Sequence, residues 1–195
     1  MPIYRNNNFI TILQYSNAIS GVININAILC IDELGNIGRD GDIIFDIKED
    51  KKKFKEYTRN KIIIMGRKTY ESFPKKLKDR THVVITRDTS YVPRDKGVYV
   101  INSIDDIDSL YKIFPFCKKS DFIVIGGASI YNKLIPMCDE VFVTRVIDTV
   151  VKDADTRIDM SVLDTFNNKI VSRPSVVKDR KSEKMVKIVY ETYIK

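Results

Sequence analysis

The chain has 195 residues, 44% hydrophobic and 30% charged, which favours one domain with a real core and leaves no apolar run near the roughly 18 residues of a membrane span. Its net charge of +7, from 33 basic and 26 acidic residues, suits an anionic partner, nucleic acid or a small polyanion. It equally suits a solvated lysine-rich surface, because the basic residues are spread along the chain and no zinc-knuckle, basic-zipper or aromatic-glycine RNA-binding signature is present. The single histidine, His82, argues against a multi-histidine metal site and a Ser-His-Asp triad, while Cys30, Cys117 and Cys138 are too widely spaced for a disulfide frame and read as reduced thiols of a cytoplasmic protein.

Residues 1–21 are polar and loosely patterned, with a single Arg and no acidic residue before Asp32. They lack the hydrophobic stretch of a secretory signal and read as an N-terminal extension to a domain spanning 22–195. From Val22 the pattern sharpens. "VININAILCI" is rich in β-formers, and "KIIIM" (61–65), "HVVIT" (82–86), "GVYVI" (97–101), "DFIVI" (121–125) and "EVFVTRV" (140–146) are further short apolar strands. Several are apolar throughout, as in strands covered on both faces of a parallel sheet. Helical patterns fall between them at 48–58, 67–73, 104–114 and 128–134, the third opening on Ser103 as N-cap with Asp105 and Asp106 in its first turn. This alternation predicts an α/β fold. The chain closes differently: "NKIVSR" and "KMVKIVYETY" flank the polar "KDRKSEK", predicting a final antiparallel hairpin with a long loop.

Glycines mark the ends of two strands. "KIIIMGRKTYES" runs strand, Gly66, helix, with Arg67, Lys68 and Thr69 in the first turn; "IVIGGASIYNKL" repeats the pattern with Gly126 and Gly127. A backbone stripped of Cβ atoms at a helix start can approach a phosphate. A third strand ends in Thr86-Arg87, at the end of an open α/β sheet where ligands bind. Taken together, these strand ends point to a phosphorylated nucleotide, although neither G-x-G-x-x-G nor a P-loop is present. Taken alone, a turn glycine followed by surface cations explains "GRKT" as well. In the first helix Asp50, Phe54 and Tyr57 stand at i, i+4 and i+7, on one face. A carboxylate there is either a surface acid or a buried one needing a partner such as a ligand's paired N–H groups.

In order and at family spacing, "IG" (37–38), the acid of "DKKKF" (50–54), "IIIMGRKTYES" (62–72), Leu77 with Arg80, "VVITR" (83–87), "IVIGGASIY" (123–131), "VFVTRV" (141–146) and "DADT" (153–156) resemble the dihydrofolate reductase family over about Val22 to Lys195. The resemblance implies NADPH-dependent reduction of 7,8-dihydrofolate to tetrahydrofolate, serving one-carbon metabolism and thymidylate and purine synthesis. It implies a single domain with an eight-stranded, mostly parallel twisted sheet, its last strand antiparallel, flanked by about four helices. Asp50 would be the active-site acid, bonding the pterin 2-amino group and N3, with Thr144 in the same network. Ile28, Leu29, Phe54, Phe73, Leu77 and Ile125 would line the substrate pocket, and Arg80 would pair with the α-carboxylate of the glutamate tail. Cys30, Ile37 and Gly38 would lie near the nicotinamide. Gly66, Arg67, Lys68 and Thr69 would hold phosphates, with Thr86 and Arg87 at the adenosine end. Gly126 and Gly127 would form a cis peptide, followed by cofactor contacts from Ala128, Ser129, Ile130 and Tyr131. No metal is implied. The glycine-rich, charged stretch from Gly35 to Phe45 reads as a mobile loop that closes over the nicotinamide. The resemblance leaves room for fusion to, or association with, thymidylate synthase.

Three departures from the family pattern stand out. Ile44-Phe45 replaces a usual Pro-Trp, Lys51 follows the acid where an apolar residue is usual, and Asp79 takes a glycine position before Arg80. The Lys51 stem is expected to cover the aminobenzoyl ring, and Asp79 to compete for Arg80. Two alternatives share parts of the pattern: the same-fold pyrimidine reductase of riboflavin synthesis, which need not have Asp50, Phe54 and Arg80, and a catalytically weak relative that binds nucleotide or RNA.

Overall fold

The structure, a computed structural model, describes Ile10–Thr11 and residues 25–195. The expected extension 1–21 therefore lies outside the described residues apart from that pair. In chain order the strands are β1 (Ile10–Thr11), β2 (Ile25–Ile31), β3 (Asn36–Arg39), β4 (Asp42–Ile43), β5 (Ile62–Gly66), β6 (Thr81–Ile85), β7 (Val98–Ile101), β8 (Phe122–Gly126), β9 (Cys138–Ile147), β10 (Thr156–Arg157), β11 (Asn168–Val171), β12 (Ser175–Lys178) and β13 (Met185–Ile194). The helices are α1 (Lys48–Thr58), α2 (Arg67–Ser72), α3 (Ser109–Ile113) and α4 (Ala128–Leu134).

The main sheet has the order β1-β7-β6-β5-β8-β2-β9-β13-β11, with β12 also paired to β13. All neighbours from β1 to β9 are parallel; β13 runs antiparallel to β9, β11 and β12. Every strand expected from the sequence is present, and β1 and β12 add short pairings at the two flanks. The apolar runs of β5 and β8 are buried on both faces, as their composition requires. Alternation divides them: Ile62, Ile64, Phe122 and Val124 pack with α3 and α4, whereas Ile63, Met65, Ile123 and Ile125 pack with Phe54 and Tyr57 of α1 and Tyr70 of α2. Burying each such isoleucine stabilises the fold by about 1.5–3 kcal/mol. A third cluster, with Ile44, Phe45, Ile47, Val146, Val177 and Ile188, closes the β9–β13 flank.

Two expectations are refined. Residues 104–114 form a 3₁₀ turn (Ile104–Asp108) followed by the single turn of α3, and Ser103 does cap the start, its hydroxyl accepting from Asp105 N at 3.1 Å. Gly35 to Phe45 contains a hairpin. Asp40 and Gly41, at φ 52° and 78°, make the two-residue turn between β3 and β4, the geometry that Asp-Gly favours. β10 adds a third strand to it. Arg39 pairs with Asp153 at 2.5 Å, and Asp40 N donates to Asp155 Oδ2 at 2.8 Å.

Candidate active site

The parallel register brings the C-terminal ends of β6, β5, β8, β2 and β9 to one edge of the sheet. Cys30, Thr144 and Tyr190 stand side by side across β2, β9 and β13. Asp50, in the first turn of α1, faces this row. Its carboxyl is held above the ordinary aspartate range, chiefly by burial, against the opposing effects of a hydrogen bond from Thr144 and the Lys51 charge. Its charge in turn pushes up the Cys30 thiol and the Tyr131 and Tyr190 phenols, each already raised by burial. The acid is therefore inward-facing, which decides between the two readings of Asp50.

Ile28 and Ile125 share a cluster with Phe54, Phe73 and Leu77, joined by Tyr57 and Phe142, whose rings lie 4.2 Å apart. Leu29 does not join them. The strand's period of two turns its side chain to the opposite face, among the residues packed on α4, so only its backbone borders the pocket side. Arg80 docks on the end of α1. Its guanidinium donates to Lys55 O at 3.1 Å, Lys78 O at 2.6 Å and Thr58 Oγ1 at 3.1–3.2 Å, a cation on exposed helix carbonyls. The Asp79 carboxylate pairs with Arg59 at 3.4 Å and its charge also acts on Arg80, while its backbone takes φ 59°, the left-handed conformation that explains the usual glycine. The Lys51 ammonium sits 2.9 Å from Asp46, at the helix start.

On the other side of this edge, Gly66 and Gly127 face each other at the starts of α2 and α4. A Cβ on Gly66 would stand 4.0 Å from Gly127 N, and one on Gly127 would stand 3.2 Å from Thr69 Oγ1. The Gly126–Gly127 peptide is cis. The first N–H groups of both helices have no partner within their helix, and Lys68 and Arg87 are exposed and make no ion pair among the described residues. Arg67 is engaged, 3.0 Å from Asp88 and 4.0 Å from Glu71, with its guanidinium 5.6 Å from the Tyr91 ring centroid. Thr86 is buried and accepts from Asp88 N at 3.3 Å, and Asn102 braces both carbonyls of that turn at 3.1 and 3.2 Å. Donor-rich backbone, a hydroxyl and free cations around a Cβ-free gap fit a dinucleotide's diphosphate. Ile130 and Tyr131 anchor α4 in the core, the Tyr131 hydroxyl donating to Ile28 O at 2.7 Å, while Ala128 and Ser129 form its first turn. Ile37 packs against the same cluster, and Gly38 lies opposite Thr156.

Sequence reasoning missed Tyr190, Asp88 and Asn102. "DTS" (88–90) was legible as a turn in which Asp88 accepts from Ser90 N, at 3.0 Å. Tyr190 and Asn102 become neighbours of the site only through strand pairing.

Phe45 is buried beside Cys30 and Tyr190. Phe45→Trp must therefore overpack the pocket wall, costing about 1–3 kcal/mol. A thermal midpoint lower by roughly 2–10 °C is expected, with no gain in activity. An unchanged midpoint with higher kcat/KM would show instead that the indole N–H fills a missing polar contact.

The fold and the site define an α/β protein with a partly buried carboxylate at the sheet edge, beside a glycine cradle that fits a nucleotide's diphosphate. The dihydrofolate reductase family model matches residues 24–195, and the chain belongs to that family. It is 31% identical to dihydrofolate reductase type 9 of Escherichia coli over 172 residues, 87% of this chain and 92% of that one. With the enzyme of Mycoplasma genitalium it shares 33% identity over 135 residues, covering 69% of this chain and 84% of that relative. Among solved structures it resembles the dihydrofolate reductase of Enterococcus faecalis complexed with NADP(H) and RAB-propyl, with a TM-score of 0.65 and 25% identity, covering 89% of this chain and 97% of that one. These comparisons do not favour the pyrimidine reductase or the nucleotide- or RNA-binding alternative.

Proposed function

We propose that this chain catalyses NADPH-dependent reduction of 7,8-dihydrofolate to tetrahydrofolate, and the observation carrying this reading is the inward-facing Asp50 beside Thr144, across the sheet edge from the glycine cradle. When bound, NADPH supplies the hydride for C6 of the pterin. Asp50 accepts hydrogen bonds from the 2-amino group and N3–H and thereby orients and polarises the ring, with Thr144 fixing the carboxylate. Ile28, Phe54, Phe73, Leu77 and Ile125 supply apolar walls, and Arg80 meets the tail carboxylate. Gly66, Arg67, Lys68, Thr69, Gly127, Ala128 and Ser129 hold the diphosphate; Thr86 and Arg87 take the adenosine end. Cys30, Ile37 and Gly38 border the nicotinamide, and Gly126, Ile130 and Tyr131 hold the cradle in shape. His82, the chain's one histidine, is buried in β6 and makes no approach to the row facing Asp50, so the proton for N5 comes from solvent.

Oxidation of NADPH by the purified chain, followed by absorbance with and without dihydrofolate, tests this reading; oxidation that does not depend on dihydrofolate sinks it. Arg87→Ala is expected to raise KM for NADPH about tenfold and KM for NADH little, because a phosphate contact present in only one cofactor is worth about 1.5–3 kcal/mol or less after solvent screening. Equal effects on both cofactors would separate Arg87 from the 2′-phosphate.

The domain proposed is 22–195, in keeping with the family match starting at residue 24, with 1–21 as an extension that lends the short strand Ile10–Thr11 to the edge of the main sheet beside β7. The proposed location is the cytoplasm, in keeping with three unpaired cysteines; no helix among the described residues is long and apolar enough to cross a membrane. Thymidylate synthase, fused or associated, is the macromolecular partner this reading suggests, and co-purification tests it.

A further inference from the structure

His82 takes no part in the reaction proposed above, yet its side chain is fully buried. Its Nε2 accepts a hydrogen bond from the backbone N–H of Leu77 at 3.2 Å. In the neutral ring the proton must then sit on Nδ1. Nδ1 is buried without a hydrogen bond of normal geometry, although the Arg80 backbone lies near enough to favour a charge on the ring. The Tyr70 ring stands edge-on, its centroid 6.4 Å away, and its hydroxyl donates to Asp95 at 2.6 Å. Arg94 lies over the Tyr70 ring at 5.3 Å and donates to Phe73 O. Lys76 donates to Lys96 O at 2.8 Å. The segment from Phe73 to Arg80 is thus tied at Phe73, Lys76 and Leu77 before Arg80 docks on α1. Within it, Phe73 and Leu77 pack in the cluster of Ile28, Ile125 and Phe54.

We infer that His82 is a positioning residue that holds Leu77, and through it the segment from Phe73 to Arg80, so as to set affinity for the aminobenzoyl-glutamate half of the substrate. The inference rests on the reductase reading. Its geometric basis is the Leu77 N–H bond, an acceptor role that an imidazolium cannot play. Burial, then Lys76 and the Arg80 charge, oppose protonation, while the Arg80 backbone and Asp95 favour it; the balance pushes the ring down to about 4. The acceptor is therefore kept throughout the neutral range.

The test compares His82→Leu, which has no acceptor, with His82→Gln, whose amide oxygen can reach the Nε2 position. His82→Leu is expected to raise KM for dihydrofolate about 2- to 10-fold. It should leave kcat and the KM for NADPH nearly unchanged and spare turnover of a dihydropterin lacking the aminobenzoyl-glutamate tail. His82→Gln should restore the KM. Equal losses with the tailless dihydropterin, or a change confined to kcat, overturn the inference. An independent readout needs no variant: because the chain has one histidine, its imidazole ¹⁵N spectrum is unambiguous. A protonated Nδ1 with Nε2 hydrogen-bonded supports the role, and the opposite tautomer overturns it. Absence of dihydrofolate turnover in the wild type would instead sink the reductase reading, which the ¹⁵N spectrum does not touch.

Discussion

Asp50→Asn should lower kcat/KM for dihydrofolate at least about 100-fold, a loss of roughly 2.7 kcal/mol of transition-state stabilisation. The amide keeps the shape of the carboxylate but presents one acceptor and one donor where the pterin needs two acceptors. The same substitution should stabilise the fold at neutral pH. Burial raises the Asp50 carboxyl above its ordinary range, so its ionised form is less favourable in the folded chain than in the unfolded one. By linkage, the native state loses stability as pH rises through the folded pKa, and the loss is absent below the ordinary aspartate range. Asn carries no charge and escapes it. The midpoint difference between variant and wild type should be positive near pH 7 and shrink toward pH 3–4. Turnover like that of the wild type would remove Asp50 from the mechanism, and a variant less stable at neutral pH would show that the carboxylate is held by bonds stronger than its desolvation.

Function and class were more legible than local architecture. Asp50, Phe54 and Tyr57 announce their common face through helical spacing, and Gly66 and Gly127 announce the cradle because helix starts recur after apolar strands. What eluded the sequence depends on chain segments far apart. Leu29 sits in the right run but alternation sends its side chain to the other face. The Lys51 charge meets Asp46, which is itself paired at 2.6 Å with Arg180 from near the end of the chain. The engagement of Arg67 by Asp88 is set by how β5 and β6 lie side by side. At Asp40-Gly41 two local signals conflict: charge and glycine content point to a loop, while the Asp-Gly pair specifies the tight turn of a hairpin.

The sharpest structural consequence falls on the Gly126–Gly127 pair. Gly126→Ala is expected to destabilise the chain by about 3–5 kcal/mol. Gly126 sits at φ 110°, where side chains are rarely tolerated, and an added Cβ would stand 2.8 Å from Tyr131 Cε2. The ring cannot yield cheaply. It is buried, and its hydroxyl is committed to Ile28 O at 2.7 Å, so displacing it breaks a buried hydrogen bond and disturbs the pocket strand together. At about 2–4 °C per kcal/mol for a domain of this size, the midpoint should fall by roughly 6–20 °C. Gly127→Ala is the instructive contrast. Its φ of −78° is ordinary, and its added Cβ meets only the Thr69 hydroxyl, at 3.2 Å, a side-chain atom that can rotate away. That variant should keep most of its stability and lose NADPH affinity, because the new methyl fills the gap left for the diphosphate. Thermal midpoints of the two variants, set beside KM for NADPH, separate these effects. Equal stability losses would show that the glycine pair serves the turn alone, and an unperturbed cofactor KM in Gly127→Ala would place the diphosphate elsewhere.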